Sequence, residues 1–448
     1  VYILRSILPK ASTRVHTIRA AWYGRSIQAS SRAILAASLT VALFPLGCHR
    51  NRFPDVPAGY REFAYVSNGG SNTVSVLDLV YLRQDRTLQV GVAPTGLAVN
   101  PNRDEVYVVN AGTPSGNGSV SVIDTTSNTV VATIPVHKLP YSIDVDHDGH
   151  RAYVANSGSN TVSVIDLDRR REVAVAGTGE QPGLARISPD MRSLVVTNRG
   201  SGSVSIFAIA PYKVDGGGLT LPGIPAKPHT ATGDPMPHLR AAISGCPGAT
   251  DAVILPNSTK AFVACSNSSN VMAIQLAASP ESSAPQGTPQ LTDHLLALLD
   301  VGGDPIQLAL KPDGGEIFCS NFASGSFSEI DTQTNEVGGT YPIGNKPAFG
   351  IVGEDDSTLW VSNFGANSIS LWSIEDGQRV LVSPSTGRAP DALAFSADQH
   401  LLLAADAQSG DVAVIRTTDK NGFPALFTIL PAGRSPNAIA VKAMPGKL

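Results

Sequence analysis

A short apolar run closing on Asn returns again and again along this 448-residue chain, and that recurrence restricts the fold more than any other feature. It reads Tyr65-Val66-Ser67-Asn68, Tyr107-Val108-Val109-Asn110, Tyr153-Val154-Ala155-Asn156 and Val195-Val196-Thr197-Asn198. It continues as Val263-Ala264-Cys265-Ser266-Asn267, Phe318-Cys319-Ser320-Asn321, Trp360-Val361-Ser362-Asn363 and a degenerate Leu403-Ala404-Ala405-Asp406. Successive end points lie 42, 46, 42, 69, 54, 42 and 43 residues apart, so one period dominates and two insertions interrupt it. A fixed period of this length means an array of like units, none of which buries its apolar faces alone.

Each unit has the same internal grammar. A Gly/Ser/Asn turn leads to an alternating run such as Val162-Ser163-Val164-Ile165-Asp166, which makes a tight hairpin with the run before it. The closing Asp opens a polar turn (Asp124-Thr125-Thr126-Ser127-Asn128) into another strand. A Gly-x-x-Pro turn and a further apolar run complete the unit, as in Gly387-Arg388-Ala389-Pro390 before Asp391–Phe395. Charged residues make up only 16% of the chain and hydrophobic ones 42%, which disfavours disorder and coiled coil. The expected fold is all-β: a single β-propeller of four-stranded antiparallel blades. Eight blades are expected, with seven as the alternative if the degenerate or inserted copies are over-read. The first unit, from Phe63, lacks its leading strand, and Asn437–Val441 after Gly433-Arg434-Ser435-Pro436 supplies one. The C-terminal strand should therefore join the first blade and close the ring.

The repeat resembles that of the YVTN-type β-propeller family: Tyr153-Val154-Ala155-Asn156 followed by Thr161–Asp166 is close to its consensus. The resemblance covers residues 63–441 and implies the propeller fold. It says little about activity, since the family includes surface-layer and lactonase-like proteins.

The first 48 residues read as an export signal with an over-long basic region, and residues 49–62 as a tether before the propeller at 63–448. Ala33–Gly47 is apolar and uncharged, preceded by Arg14, Arg19, Arg25 and Arg32. Leu46-Gly47-Cys48 resembles a lipobox, although Pro45 stands where that motif usually carries Leu. The resemblance implies lipidation at Cys48 and a membrane-anchored lipoprotein facing the periplasm or the cell surface. A plain secretory signal is the alternative.

In a propeller with this strand order the Gly-x-x-Pro turns share one face, which carries His137, Lys138, Lys346, Arg388 and Arg434, and also Glu180 and Asp304. Lys346, Arg388 and Arg434 fall on consecutive blades, an arc suited to a carboxylate, phosphate or acidic glycan. Solvated turn residues without a shared ligand are the competing reading. The insertion at 209–247 holds His229, Asp234, Met236 and His238 without the regular spacing of a metal site, and is expected to cap part of the channel mouth. The one at 277–292 is low-complexity and falls on the opposite face. His147 and His150 fit a hairpin turn. Cys246 and Cys265 are the expected disulfide; Cys265 with Cys319 is the second pairing.

No serine-nucleophile elbow, zinc-protease helix, haem-attachment or phosphate-loop motif is present in the sequence. With 33 basic against 37 acidic residues there is no electrostatic case for nucleic acid. Neither metal nor cofactor is expected. The leading expectation is a monomeric binding scaffold for an envelope protein or polysaccharide, reaching the membrane only through its lipid. A lactonase-like or haem-d1-like propeller using His137, Lys138, Arg388 and Arg434 is the alternative, and a surface-layer component a third.

Overall fold

The computed structural model describes residues 57–210, 213–214, 231–232, 234–277, 292–374, 380–418 and 423–444. The stretch read as an export signal, Cys48, most of the expected tether, His229 and the low-complexity stretch from 278 to 291 lie outside the described residues.

Eight four-stranded antiparallel sheets form the ring. Blade 1 is built from Pro436–Met444, Arg61–Asn68, Thr73–Asp78 and Arg83–Gln89, named from the innermost strand outward. The inner strands of blades 2 to 8 are Pro94–Val99, Pro140–Val145, Pro182–Ile187, Ala249–Ile254, Pro305–Leu310, Pro347–Val352 and Pro390–Phe395. Pro opens most of them because the first residue of a strand needs no ladder donor.

Burial follows from stacking. The second strands are buried nearly end to end, as in Arg151–Asn156 and Leu401–Asp406, because both faces meet another blade. Alternate residues then serve opposite neighbours. Tyr65, Val74 and Val76 pack with Val106 and Val108 of blade 2, whereas Ala64, Val66 and Leu77 pack with Leu403 and Val414 of blade 8. Each of the eight interfaces between adjacent blades holds its own apolar cluster, so the core is a ring of clusters. The repeat tyrosines carry a polar tip through this layer: Tyr65 donates its hydroxyl to Asn128 of blade 2, and Tyr107 donates to Glu105 at 2.6 Å.

The ends of the chain meet in blade 1, where Arg61 pairs with Met444 and the register runs to Asn68 opposite Pro436. Ser67 Oγ donates to Asn437 Oδ1 at 2.6 Å, and the Ala397 amide of blade 8 donates to Glu62 at 2.6 Å.

Two expectations need correction. The stretch 209–247 is not all insertion, because His238–Ser244 is the outer strand of blade 4, paired with Ser203–Ala208. Its apolar alternation is hidden behind a Gly/Pro-rich segment. The connection therefore leaves between the third and fourth strands, at the blade end opposite the Gly-x-x-Pro turns, and most of it lies outside the described residues. In blade 5 the second strand ends at Cys265, opposite Ala249, and Ser266–Ser268 is a 3-10 turn, so Asn267 is not the repeat's terminal Asn.

Removing residues 435–448 leaves Arg61–Asn68 with an unpaired edge and exposes the clusters on either side of blade 1. The expected result is loss of the single cooperative melting transition in circular dichroism. A shortened chain that still melts cooperatively at the parent temperature would exclude closure by this strand.

Candidate functional site

The turns before the inner strands have a common construction. The residue preceding the inner strand is left-handed in every blade: Ala93, Leu139, Gln181, Gly248, Asp304, Lys346, Ala389 and Ser435. A non-glycine residue there costs on the order of 1 kcal/mol, and hydrogen bonds offset it. The amides of Ala93, Gln181 and Ala389 donate at 2.9 Å to Asn72, Asn160 and Asn367 of the preceding blade. Amides of Lys138, Arg388 and Arg434 donate to Ser159, Ser409 and Ser71 of their own blade. The repeat Asn anchors this turn from below: in six blades its Nδ2 donates to a Ser Oγ on the third strand at 2.8–3.0 Å. The turn Gly lies against it, so closely that a Cβ on Gly344 would overlap the Asn363 amide.

Blade 3 has His137 in place of the Gly but keeps its Asn156 bond, and two further blades alter the anchor itself. In blade 5 Cys246 takes the place of the Gly and Cys265 that of the Asn, and a disulfide joins them with Cα atoms 4.8 Å apart. Cys319 is free and buried. In blade 8 Asp406 stands for the Asn, Ala413 for its Ser partner, and Asp411 for the nearer Thr or Ser. Asp406 is fully buried and accepts from the Gly387 amide at 3.0 Å. Burial first, and the Asp411 charge beside it second, push its pKa up to about 7.

The five turn residues named from sequence all lie on these turns, and none lines the axial channel. His137 stands 3.5 Å from Glu172, and Lys346 lies over the Phe322 ring at 5.5 Å. Lys138, Arg388 and Arg434 are exposed. The turns hold their backbones, while the side chains stand outside the channel.

The channel is walled by inner strands and encloses about 750 Å³, within the range of small-molecule sites. Inner strands of adjacent blades share no β-ladder; their polar side chains bridge the gaps instead. Asn437 donates to the Pro94 carbonyl at 2.9 Å, and Thr95 to that of Tyr141 at 3.0 Å. Ser142 donates to the Gly183 carbonyl at 2.8 Å, and Asp144 accepts from the Ile187 amide at 2.9 Å. Asp251 accepts from the Leu308 amide at 2.9 Å, and Gln307 spans to Gly350 through both ends of its amide. Arg186 of blade 4 lies 3.9 Å from Asp251, and its positive charge opposes the upward push that burial exerts on both Asp144 and Asp251. At the mouth Arg199 lies over the Tyr141 ring at 4.9 Å.

Arg186, Asp251, Gln307 and Asp391 were missed in the sequence. Their signal is a polar residue interrupting an otherwise apolar inner strand, visible only once the eight repeats are in register. Metal-ligating clusters are absent among the described residues.

A family profile described as "Lactonase, 7-bladed beta-propeller" matches residues 316–440, from the second strand of blade 6 into the inner strand of blade 1. No curated protein sequence matches the chain. Among solved structures it is similar to a dihydro-heme d1 dehydrogenase, NirN, with TM-score 0.62 and 16% identity over 84% of this chain and 74% of that one. A putative 6-phosphogluconolactonase from Bacteroides uniformis gives TM-score 0.54 and 15% identity over 86% and 100%. Kuenenia stuttgartiensis hydrazine synthase gives 0.50 and 19% over 69% and 92%. At these identities the likeness is one of fold, and the chain is a β-propeller. Of the side chains that hold haem iron in proteins, the described channel wall offers Tyr141 and no His, Met or Cys.

Blade 8 makes stability pH-dependent in a defined direction. Asp406 holds its proton more tightly folded than unfolded, so its contribution is complete below the ordinary carboxyl range and is lost as pH rises toward about 7. Asp406→Asn with Ala413→Ser rebuilds the anchor of the other blades. The pair should gain about 1–3 kcal/mol at pH 8 and little at pH 4, read from denaturant midpoints at both values. Equal gains at both would remove the carboxyl pair as the cause.

Proposed function

We propose that this chain is an exported, monomeric propeller, held to a bilayer by a lipid on Cys48, that binds a small polar molecule in its axial channel. The channel carries the reading: a cavity of about 750 Å³ with Arg186 and Asp391 on its wall. Apolar walls with a few placed ionisable groups are how small ligands are oriented. The profile match over 316–440 and the likeness to putative lactonases support a small molecule over a purely structural scaffold. Lactone hydrolysis is the second reading, favoured by the same match; in it Arg186 would polarise the carbonyl and a channel carboxylate would activate water. The exposed Lys138, Arg388 and Arg434 leave the turn face available to an anionic envelope polysaccharide while the channel is occupied.

The test is a thermal-shift panel of sugar lactones, aldonates, amino acids and alkylamines, with native mass spectrometry as the second readout. At least one class should raise the melting temperature by a few degrees. Ala438→Trp, which narrows the channel from blade 1, should abolish the shift while leaving the unliganded melt close to the parent's. A panel with no shift, or shifts that survive the Trp, would count against channel binding. Separately, Cys48→Ser should move the protein from the membrane pellet to the soluble fraction, and retention in the pellet would count against the lipid.

A further inference from the structure

We propose that the blade 7 and blade 8 side of the channel is a subsite for an organic ammonium group, with Asp391 as its counter-ion and the Phe349 ring as its apolar wall. The inference rests on the channel-binding reading and adds the ligand's chemistry.

The argument starts from how the other polar inner-strand side chains are used. Asn437, Thr95, Ser142, Asp144, Asp251 and Gln307 each bond the backbone of the next blade. Thr250 reaches the Pro305 carbonyl at 3.4 Å, Lys442 reaches the Asn100 carbonyl at 2.9 Å, and Tyr141 and Arg186 meet Arg199 and Asp251. Asp391 is the exception among the described residues. It occupies the position equivalent to Asn437, directly after the inner-strand Pro, and lines the channel without a hydrogen bond or an ion pair. Burial alone acts on its carboxyl, raising its pKa, with no amide or guanidinium to oppose it. A carboxylate that stabilises nothing in the fold, in a cleft, is arranged for something that arrives.

Its surroundings select the class. Ala348 and Phe349 of blade 7 and Ala392 beside Asp391 line the same channel. Phe349 packs on the cluster between blades 7 and 8 that includes Leu393, which fixes its ring on this side. One carboxylate with an aromatic face and alanines suits an alkylammonium, paired with the charge and lying on the ring. It does not suit a hard metal ion, which needs about six oxygens. Blade 4, carrying Arg186, stands opposite blade 8 in the ring of eight. A ligand with an anionic end reaching Arg186 would therefore span the channel.

The experiment uses the full chain, with binding read by ligand-observed NMR titration of hexylammonium, its isostere 1-hexanol, 6-aminohexanoate, tetramethylammonium and glucono-δ-lactone. Hexylammonium should bind about tenfold tighter than 1-hexanol, and Asp391→Asn should erase that ratio, a change of about 1.4 kcal/mol. Its affinity should also rise with pH as Asp391 loses its proton. Phe349→Leu, which keeps the carboxylate, should weaken tetramethylammonium binding about threefold. 6-Aminohexanoate should bind tighter than hexylammonium in the parent, and Arg186→Gln should remove that advantage. Equal binding of hexylammonium and 1-hexanol, or an Asp391→Asn protein that keeps the preference, would overturn the proposal. If glucono-δ-lactone binds and the ammonium probes do not, this subsite fails and the channel reading survives; if nothing enters, both fail.

Discussion

The fold rests on one pairing, that of Arg61–Asn68 with Pro436–Met444. A single blade is a small sheet with apolar side chains on both faces, and such a sheet has no stable state in water. Stacking solves the problem for every blade with two neighbours and moves it to the ends of an open row. Only closure removes the ends, and here it is made from the two most distant parts of the propeller chain. The strand ladder is reinforced across the seam by Ser67 with Asn437 and by Glu62 with the amide of Ala397, so blades 8, 1 and 2 are tied where the chain begins and ends.

Within each blade the second constraint is the junction of turn and second strand. A left-handed residue precedes every inner strand, and in six of the eight blades a Gly lies against the buried residue that ends the second strand. The repeat tolerates different chemistry at that junction as long as the geometry survives. Blade 5 replaces a noncovalent contact with the Cys246–Cys265 bond, and blade 8 replaces a neutral amide with a carboxyl that must keep its proton. The second exchange is conditional, because burial and the nearby Asp411 charge oppose ionisation of Asp406, so its support for the turn weakens as pH rises.

The propeller was legible in the sequence because its signals are periodic. The Tyr-Val-x-Asn runs, the alternating third strands and the orphan strand at Asn437 each repeat or complement another segment, and every one is required by burial. The blade count followed from the same periodicity. What was not legible is what departs from it. His238–Ser244 was obscured by its Gly/Pro-rich approach, and Asn267 drew the eye from Cys265, the true occupant of the Asn position. The channel wall was hidden for a different reason: Asp251, Gln307 and Asp391 sit singly in separate repeats, and nothing along the chain says that they face one axis. The cations at Lys346, Arg388 and Arg434 were conspicuous because they recur at one turn position, yet recurrence there reflects how the turn is built, and their side chains stand outside the channel.

The channel's polarity has a structural origin that also explains where it stops being structural. Eight inner strands splay around an axis without ladders between them, leaving backbone amides and carbonyls facing the cavity. Side chains from one blade to the next close most of these gaps, and a group committed in that way is lost to ligand recognition, since releasing it would leave a buried partner unsatisfied. From blade 7 to blade 8 and from blade 8 to blade 1 the bridge is missing: blade 7 presents Ala348 and Phe349, and blade 8 presents a carboxylate that bonds neither neighbour. Had Asp391 been Asn or Thr, as in blades 1 and 2, it would have had the donor needed to span the last gap. A carboxylate has none. The break in the girdle and the uncompensated charge are thus one feature, a carboxylate with no bond in the fold facing across the channel toward blade 4 and Arg186.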